Sequence, residues 1–275
     1  VLIIGAGGLG APLLQYLTAA GVGTIGLIDY DKVENSNLQR QVLFTEADLA
    51  QPKVEAALAK LKRLNSQVEF ITYDEKITRH NALEIIGQFD VIADGSDNFP
   101  TRYLVNDACV QLNKPYVYGS IYRYEGQVSV FNQYDPDTGL YGPNYRDLFP
   151  TPPAPRAVPS CTQGGVLGAM AGIIGSIQAN EVIKLITGIG TSLNGRLFIL
   201  ETLNFETQTI KLAKGKTRAE IKELIDYEEF CNMAEDNSPF DVNEITVHEL
   251  SDMLKEGKDI QLVDVRTEFE HHISN

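Results

Sequence analysis

Cysteine is scarce in this sequence, and no two cysteines lie close together. The three cysteines among the 275 residues are Cys109, Cys161 and Cys231. An odd number of widely spaced cysteines argues against a disulfide framework. Because proteins without disulfides are typical of reducing compartments, we predict a cytoplasmic protein.

Long uninterrupted apolar runs are also missing. The most apolar stretch, residues 164–186, is broken by Gln178, Asn180, Glu181 and Lys184. A membrane-spanning helix needs about 20 nearly uncharged residues, and no signal peptide is visible at the start of the sequence. We therefore interpret this stretch as a buried helix and expect no membrane partner.

The sequence has fewer basic than acidic residues. The chain has 23 Lys and Arg against 37 Asp and Glu, which gives a formal net charge of -14. Such a chain repels nucleic acid and anionic membranes, so we predict no nucleic-acid partner. Its 43% apolar and 22% charged residues are ordinary for a soluble globular protein.

Short apolar runs alternate with helical periodicity over the first two-thirds of the chain. This pattern predicts an α/β fold with a mainly parallel, Rossmann-like sheet and helices on both faces. Antiparallel strands are expected at the C-terminal part. The predicted strands are 1–4, 24–28, 69–72, 91–93, 116–118, 128–131, 196–201 and 207–212. The predicted helices cover 13–20, 54–61, 82–86, 103–112 and 165–186.

Three regions are expected along the chain. Residues 1–213 form the predicted nucleotide-binding domain, and the polar stretch 214–242 is the predicted linker. A further unit is expected over 243–275, with a helix at 247–254 and a strand at 260–265. Five prolines within 150–159 predict an extended loop.

A glycine-rich loop opens the chain. Residues 5–10 fit the pattern G-x-G-x-x-G directly between a predicted strand and a predicted helix, and Asp29 ends the next strand. Glycines let the backbone approach phosphate oxygens, and an acid at this distance can hold a ribose hydroxyl. Nucleotide binding is therefore predicted, against the alternatives of a tight turn without ligand and of a nicotinamide-dependent oxidoreductase.

Charged residues beyond the loop favour a triphosphate over a dinucleotide. Arg40 and Lys53 can supply cations, and Asp97 follows a strand whose carboxyl end faces the same crevice. A carboxylate in that place can hold Mg²⁺ against the phosphates. The alternatives are solvated surface charges for Arg40 and Lys53, and a helix cap for Asp97 and Asn98.

The sequence resembles the MoeB/ThiF adenylyltransferases, the bacterial relatives of ubiquitin-activating enzymes. The resemblance covers roughly residues 1–212 and is carried by segments 5–10, 27–31, 36–40, 51–53, 97–98, 125–127 and 158–161. It implies a homodimer that binds ATP and Mg²⁺ and adenylates the Gly-Gly carboxylate of a ubiquitin-like sulfur carrier protein. Pyrophosphate is released, and the pathway is molybdopterin, thiamine or related biosynthesis.

The resemblance also implies which residues form the site. The nucleotide-binding residues are expected to be Gly5, Gly7, Gly8, Gly10, Asp29, Ser36, Asn37, Leu38, Gln39, Arg40, Lys53, Asp97 and Asn98. The catalytic residues are expected to be Arg40, Lys53, Asp97 and Cys161, with Asp97 on magnesium. Cys161 matches a cysteine that in some members takes part in covalent linkage or sulfur transfer, although a free cysteine is usually a small buried apolar residue.

The sequence departs from the family in three places. Asn144 and Asp147 stand where many members have the first cysteine pair of a structural zinc site, and no second pair follows Leu212, so we predict no zinc. The N-terminal helical segment of the family, which sends an arginine to the partner's ATP, is not present in this sequence. Residues 260–270 resemble the opening of a rhodanese domain, whose reactive cysteine would lie beyond Asn275, so the natural protein is expected to be longer.

Three functions remain open from the sequence. The first is adenylation of a sulfur carrier. The second is a nicotinamide-dependent oxidoreductase, which rests on the glycine loop alone. The third is a relative that binds the carrier without catalysis.

Overall fold

The computed structural model describes residues 1–153, 165–213, 217–232, 245–258 and 260. Their contacts divide the chain into two units, Val1–Asp236 and Asn237–Asn275. The strands are β1 Leu2–Ile4, β2 Thr24–Ile28, β3 Glu69–Tyr73, β4 Ile92–Asp94, β5 Tyr116–Tyr122, β6 Glu125–Phe131, β7 Tyr134–Asp135, β8 Leu140–Tyr141, β9 Arg196–Glu201 and β10 Glu206–Lys211. The α-helices are α1 Gly10–Ala19, α2 Lys53–Leu64, α3 Ala82–Gly87, α4 Phe99–Leu112, α5 Tyr145–Leu148, α6 Gly168–Thr187, α7 Tyr227–Asn232 and α8 Val247–Lys255.

The first unit is built on an eight-stranded mixed sheet with the order β10-β9-β6-β5-β4-β1-β2-β3. Strands β1 to β5 pair in parallel, whereas β6, β9 and β10 continue the sheet antiparallel. The chain moves outward from β1 to β2 and β3 and then returns to place β4 on the other side of β1. The predicted fold class, mainly parallel with antiparallel strands in the C-terminal part, is confirmed.

The two faces of the sheet bury separate apolar clusters because side chains alternate along each strand. Ile3 points to the side of α1 and α2, together with Leu13 and Val54. Leu2 and Ile4 point to the other side, where α3 and α4 pack. Both faces are therefore covered, as expected for a parallel sheet.

Helix α6 has the length and the apolar composition of a helix that could cross a membrane. Its packing is that of a core helix, since it contacts α1, β5 and β6. The polar residues Gln178 and Glu181 on it are buried, and each forms a hydrogen bond with a group outside the helix. Gln178 donates to the carbonyl of Asp94 at 2.7 Å, and Glu181 accepts from the backbone N–H of Leu193 at 2.7 Å.

Helix α4 begins four residues earlier than the periodicity predicts. Asn98 is its N-cap, with the side-chain oxygen accepting from the Thr101 N–H at 2.9 Å. Pro100 in the first turn is tolerated because the N–H groups there have no partner within the helix. This cap starts the helix directly after the turn that carries Asp97.

Residues 217–232, within the predicted linker, pack on the first unit. The Tyr227 hydroxyl donates to buried Asp107 at 2.8 Å, and Phe230 packs edge-on against Tyr103 with ring centroids 5.3 Å apart. Helix α8 belongs to the second unit and starts at a capping box of Thr246 and Glu249. The predicted strand at 260–265 lies almost wholly outside the described residues, so the rhodanese assignment stays a prediction.

Candidate functional site

The crevice of the site opens where β1 and β4 end side by side. In an open α/β sheet this is the switch point, because the connections after the two strands leave in opposite directions. The Gly5 N–H donates to the Ile28 carbonyl at 2.8 Å and the Gly95 N–H to the Ile4 carbonyl at 2.7 Å. The crevice receives residues from β1, β2, β5, α2 and α4 and from the segments that follow β1, β2, β3 and β4.

Three glycines at the base of the crevice are required by close backbone packing. Gly5 has φ +88°, and a Cβ on Gly10 would lie 1.9 Å from the Gly5 carbonyl oxygen. A Cβ on Gly95 would lie 2.9 Å from the Gly10 nitrogen. Gly7 differs, since a Cβ there would meet only the Gln41 amide nitrogen at 3.6 Å. Gly7 and Gly8 line the open crevice, where small residues leave room for a phosphate.

Asp29 ties the second strand to the glycine loop. Its Oδ2 accepts from the Ala6 N–H at 2.7 Å, and its Oδ1 accepts from the Asp31 N–H at 2.8 Å. Burial raises the pKa of Asp29, while the charge of Lys53 and the two backbone hydrogen bonds oppose the increase. Each carboxylate oxygen has a second lone pair, so Asp29 can still accept from a ribose hydroxyl.

Arg40 is held in the crevice by its neighbours in sequence. Its Nη2 donates to the Asn37 side-chain oxygen at 2.8 Å, and its Nη1 donates to the Ser36 carbonyl at 3.4 Å. The same Asn37 oxygen accepts from Gln41 Nε2 at 3.3 Å. Asn37 therefore orients a cation and an amide toward the glycine loop.

Lys53 is the first residue of α2 and is buried, with 4% of its surface exposed. Its ammonium lies 2.8 Å from Asp31. An ammonium has three donors, so this ion pair leaves Lys53 able to bind a phosphate oxygen. The structure thus brings Arg40 and Lys53 into the same crevice as the glycine loop.

Asp97 lies on the turn between β4 and α4 and is exposed to the crevice. Among the described residues its carboxylate has no hydrogen-bond or ion-pair partner. Burial raises the pKa of Tyr30, and the charge of Asp97 is one of the smaller contributions to this increase. A free, exposed carboxylate beside a phosphate site fits a Mg²⁺ ligand.

The crevice collects most but not all of the predicted residues. Gly5, Gly7, Gly8, Asp29, Asn37, Arg40, Lys53, Asp97 and Asn98 line it. Gly10, Ser36, Leu38 and Gln39 do not. Gly10 packs against Gly5, and the Gln39 backbone lies against Gly168 at the start of α6, so a direct nucleotide contact for these four stays a prediction.

Sequence reasoning missed several lining residues, namely Gln41, Lys76, Ile77, Thr101 and Arg102. Gln41 directly follows the predicted segment 36–40, which is the signal that could have found it. The others follow strand ends or lie one turn into α4, where single residues carry no recognisable pattern.

The cysteines divide into two groups. Cys161 lies outside the described residues, so its catalytic role stays a prediction. Cys109 and Cys231 are buried free thiols. Burial raises the pKa of Cys109 well above its usual range and that of Cys231 to about 11, and a thiol in that state is a poor nucleophile.

The positions at which the resemblance expects zinc ligands form a hydrogen-bonded cluster instead. Asn144 Nδ2 donates to the Thr217 hydroxyl at 2.8 Å, and that hydroxyl donates to Asp147. Asp147 in turn accepts from the Asn144 N–H at 2.9 Å. Within the described part of the chain, no group of three or more His, Cys, Asp or Glu residues could hold a metal ion.

Comparison with known proteins finds relatives that are named as adenylyltransferases. The probable adenylyltransferase/sulfurtransferase MoeZ of Mycobacterium tuberculosis is 49% identical over 275 residues, covering 99% of this chain and 70% of MoeZ. The sulfur carrier protein adenylyltransferase of Thermus thermophilus is 46% identical over 240 residues, covering 85% of this chain and 88% of its own.

A solved structure of related fold is that of Escherichia coli MccB with ATP. It superposes with a TM-score of 0.67 at 21% identity, over 78% of this chain and 64% of MccB. This likeness concerns the fold. Residues 1–221 match the model of the ThiF family. With most of its length matched and with relatives close to half identical, the chain belongs to the ThiF family.

Proposed function

We propose that this chain uses ATP to adenylate the C-terminal Gly-Gly carboxylate of a ubiquitin-like sulfur carrier protein, with release of pyrophosphate. The observation that carries the proposal is the crevice at the switch point. It joins an open glycine loop, the cations Arg40 and Lys53, and the carboxylate of Asp97, which has no partner in the described part of the chain. The names of the MoeZ and Thermus relatives support the same activity.

The nucleotide is oriented by both ends of the crevice. The ribose lies at Asp29, whose oxygens keep free lone pairs. The phosphates lie over Gly7 and Gly8 at the start of α1, where backbone N–H groups stabilise negative charge. Arg40 and Lys53 neutralise the remaining phosphate oxygens.

The reaction needs little covalent chemistry from the protein. A carboxylate oxygen of the carrier attacks the α-phosphorus in line, a P–O bond to the carboxylate forms, and the bond to the β-phosphate breaks. Arg40 and Lys53 stabilise the charge that develops on the leaving pyrophosphate, so catalysis is positioning plus electrostatic stabilisation. Asp97 would hold Mg²⁺, which would supply positive charge to stabilise the phosphates.

Several finer features belong to the same proposal. The enzyme acts as a homodimer in the cytoplasm, and Cys161 takes part in sulfur transfer after adenylation. Residues 243–275 begin a rhodanese-like domain that supplies the sulfur. The MoeZ name, which includes sulfurtransferase, and its match over 99% of this chain support this last point.

Carrier-dependent exchange of labelled pyrophosphate into ATP tests the proposal. The expected result is exchange that requires a carrier ending in Gly-Gly and stops when those two residues are removed. Binding of the carrier without exchange would indicate a non-catalytic relative. Tight binding of a nicotinamide dinucleotide without exchange would indicate an oxidoreductase, and either result would overturn the proposal.

A further inference from the structure

Arg102 is a buried cation at the floor of the crevice. It lies on α4 one turn after the N-cap Asn98, and 7% of its surface is exposed. Its guanidinium carbon lies 5.6 Å from the ring centroid of Phe99 and 5.7 Å from that of Tyr118. Both are cation–π contacts, and no hydrogen bond from the guanidinium to either side chain is present among the described residues.

Arg102 is poorly paired for a buried charge. Its one hydrogen bond is from Nη2 to the Ser96 carbonyl, at a long 3.4 Å, and its buried Nε–H has no acceptor among the described residues. No described carboxylate lies within ion-pair distance of it. By contrast, Arg146 binds Asp107 through two nitrogens at 2.8 and 2.7 Å. Burial opposes the charge of Arg102, but interactions with nearby tyrosines and with buried Asp94 raise its pKa overall, so the charge is stabilised from a distance and not by a contacting ion pair.

The Ser96 peptide connects Arg102 with the functional turn. The Ser96 N–H donates to Asp94 Oδ1 at 2.8 Å, and the Ser96 carbonyl accepts from Arg102. Asp94 is fully buried and also accepts from the Tyr116 hydroxyl at 2.5 Å. Ser96 is thus held on one side by a carboxylate and on the other by a guanidinium, and the next residue is Asp97.

We propose that Arg102 is a positioning residue whose buried charge fixes the turn 96–98 and, through it, directs Asp97 toward the metal-bound phosphates of a nucleoside triphosphate. The inference rests on the proposed function for the identity of the ligand. It assigns to Arg102 no contact with the reacting atoms.

The test is a double-mutant cycle on binding of Mg-ATP, measured by titration calorimetry with the whole chain. Arg102→Met keeps an apolar side chain beside the two rings but removes an electrostatic partner of buried Asp94, so the melting temperature is expected to fall and binding is measured well below it. Mg-ATP binding is expected to weaken by about tenfold, the size of a moderate coupling. In an Asp97→Ala background, the same substitution is expected to change binding by less than about twofold.

Two further variants separate positioning from packing. Arg102→Lys keeps a charge and a donor but stacks poorly, so it is expected to keep Mg-ATP affinity within about threefold of the starting protein. Arg146→Lys is the matched control, because Arg146 also lies over two rings, those of Tyr103 and Phe230. It does not line the crevice and is expected to leave Mg-ATP binding unchanged.

Three results would overturn the proposal. The first is unchanged binding in Arg102→Met, the second is an equal loss with and without Asp97, and the third is an equal loss in Arg102→Lys and Arg102→Met. If Arg102→Met does not fold, Arg102→Gln, which also removes the charge, replaces it in the cycle, and a loss that persists in the Asp97→Ala background contradicts the coupling. No carrier is needed, so failure of carrier-dependent exchange would refute the proposed function and leave this test intact.

Discussion

Tyr227 offers a direct test of whether residues 217–232 belong to the nucleotide-binding unit. Its side chain is 5% exposed, and its hydroxyl donates to Asp107 Oδ2 at 2.8 Å. Asp107 also accepts two hydrogen bonds from Arg146 and one from Asn106 Nδ2, the last at 3.0 Å. Tyr227 therefore completes a buried cluster between α4, α5 and α7.

The substitution Tyr227→Phe removes this hydroxyl and little else. A hydrogen bond to a charged group contributes about 1.5–3 kcal/mol. Because three other donors remain on Asp107, we expect the lower value, a loss of about 1.5 kcal/mol in the free energy of unfolding. At an m-value of about 2 kcal/mol/M, the urea midpoint falls by about 0.5–1 M with an unchanged slope.

Tyr124→Phe is the matched control. Tyr124 is 42% exposed, and its hydroxyl has no hydrogen-bond partner among the described residues. Its loss is expected to change the free energy of unfolding by less than about 0.5 kcal/mol. Equal urea midpoints for the two variants would refute the packing of α7 on the first unit. Residues 217–232 would then be part of a linker, as the sequence suggests.

Three further predictions address the site, the thiols and the metal. Asp97→Ala lowers carrier-dependent exchange by at least about 100-fold, and the melting temperature is expected to stay unchanged because the carboxylate has no partner among the residues that the structure describes. An equal loss of exchange in Asp90→Ala, an exposed carboxylate outside the crevice, would contradict this role. At pH 8, Cys109 and Cys231 resist labelling by a disulfide reagent because burial raises the pKa of both thiols. If replacing either cysteine by Ser slowed the labelling of the protein, the replaced thiol would have been reactive, and the prediction would be wrong. Dialysis against a zinc chelator leaves the melting temperature unchanged, whereas Thr217→Val lowers stability by about 1 kcal/mol; melting at a lower temperature after chelation would show that a metal holds this region.

The nucleotide crevice could be predicted from sequence because its main parts are local. The strand, the glycine loop and the helix of residues 1–19 are contiguous, and each satisfies its own periodicity. Asp29 directly follows a buried strand, and Asp97 lies three residues after the end of another. Both were found because the carboxyl ends of parallel strands meet at one edge.

The remaining features depend on contacts between distant residues. Tyr227 meets Asp107 over 120 positions in sequence, and nothing in the polar composition of 217–232 indicates that a single tyrosine and Phe230 dock it. The sequence also does not indicate that Arg102 is buried, because a single arginine in the first turns of a helix is normally solvated. Its environment includes Tyr118, which comes from the neighbouring strand β5.

The charges of the crevice are restrained before any ligand arrives. Asn37 orients Arg40, and Asp31 holds Lys53, so neither cation must be ordered by the nucleotide. Asp97 is the exception, since it has no partner among the described residues and depends on the turn that carries it. A preorganised site stabilises a transition state because its dipoles and charges need not rearrange. The residue that orders this turn should therefore matter to the reaction as much as those that touch the phosphates, which is why the Arg102 cycle is the most informative measurement on this fold.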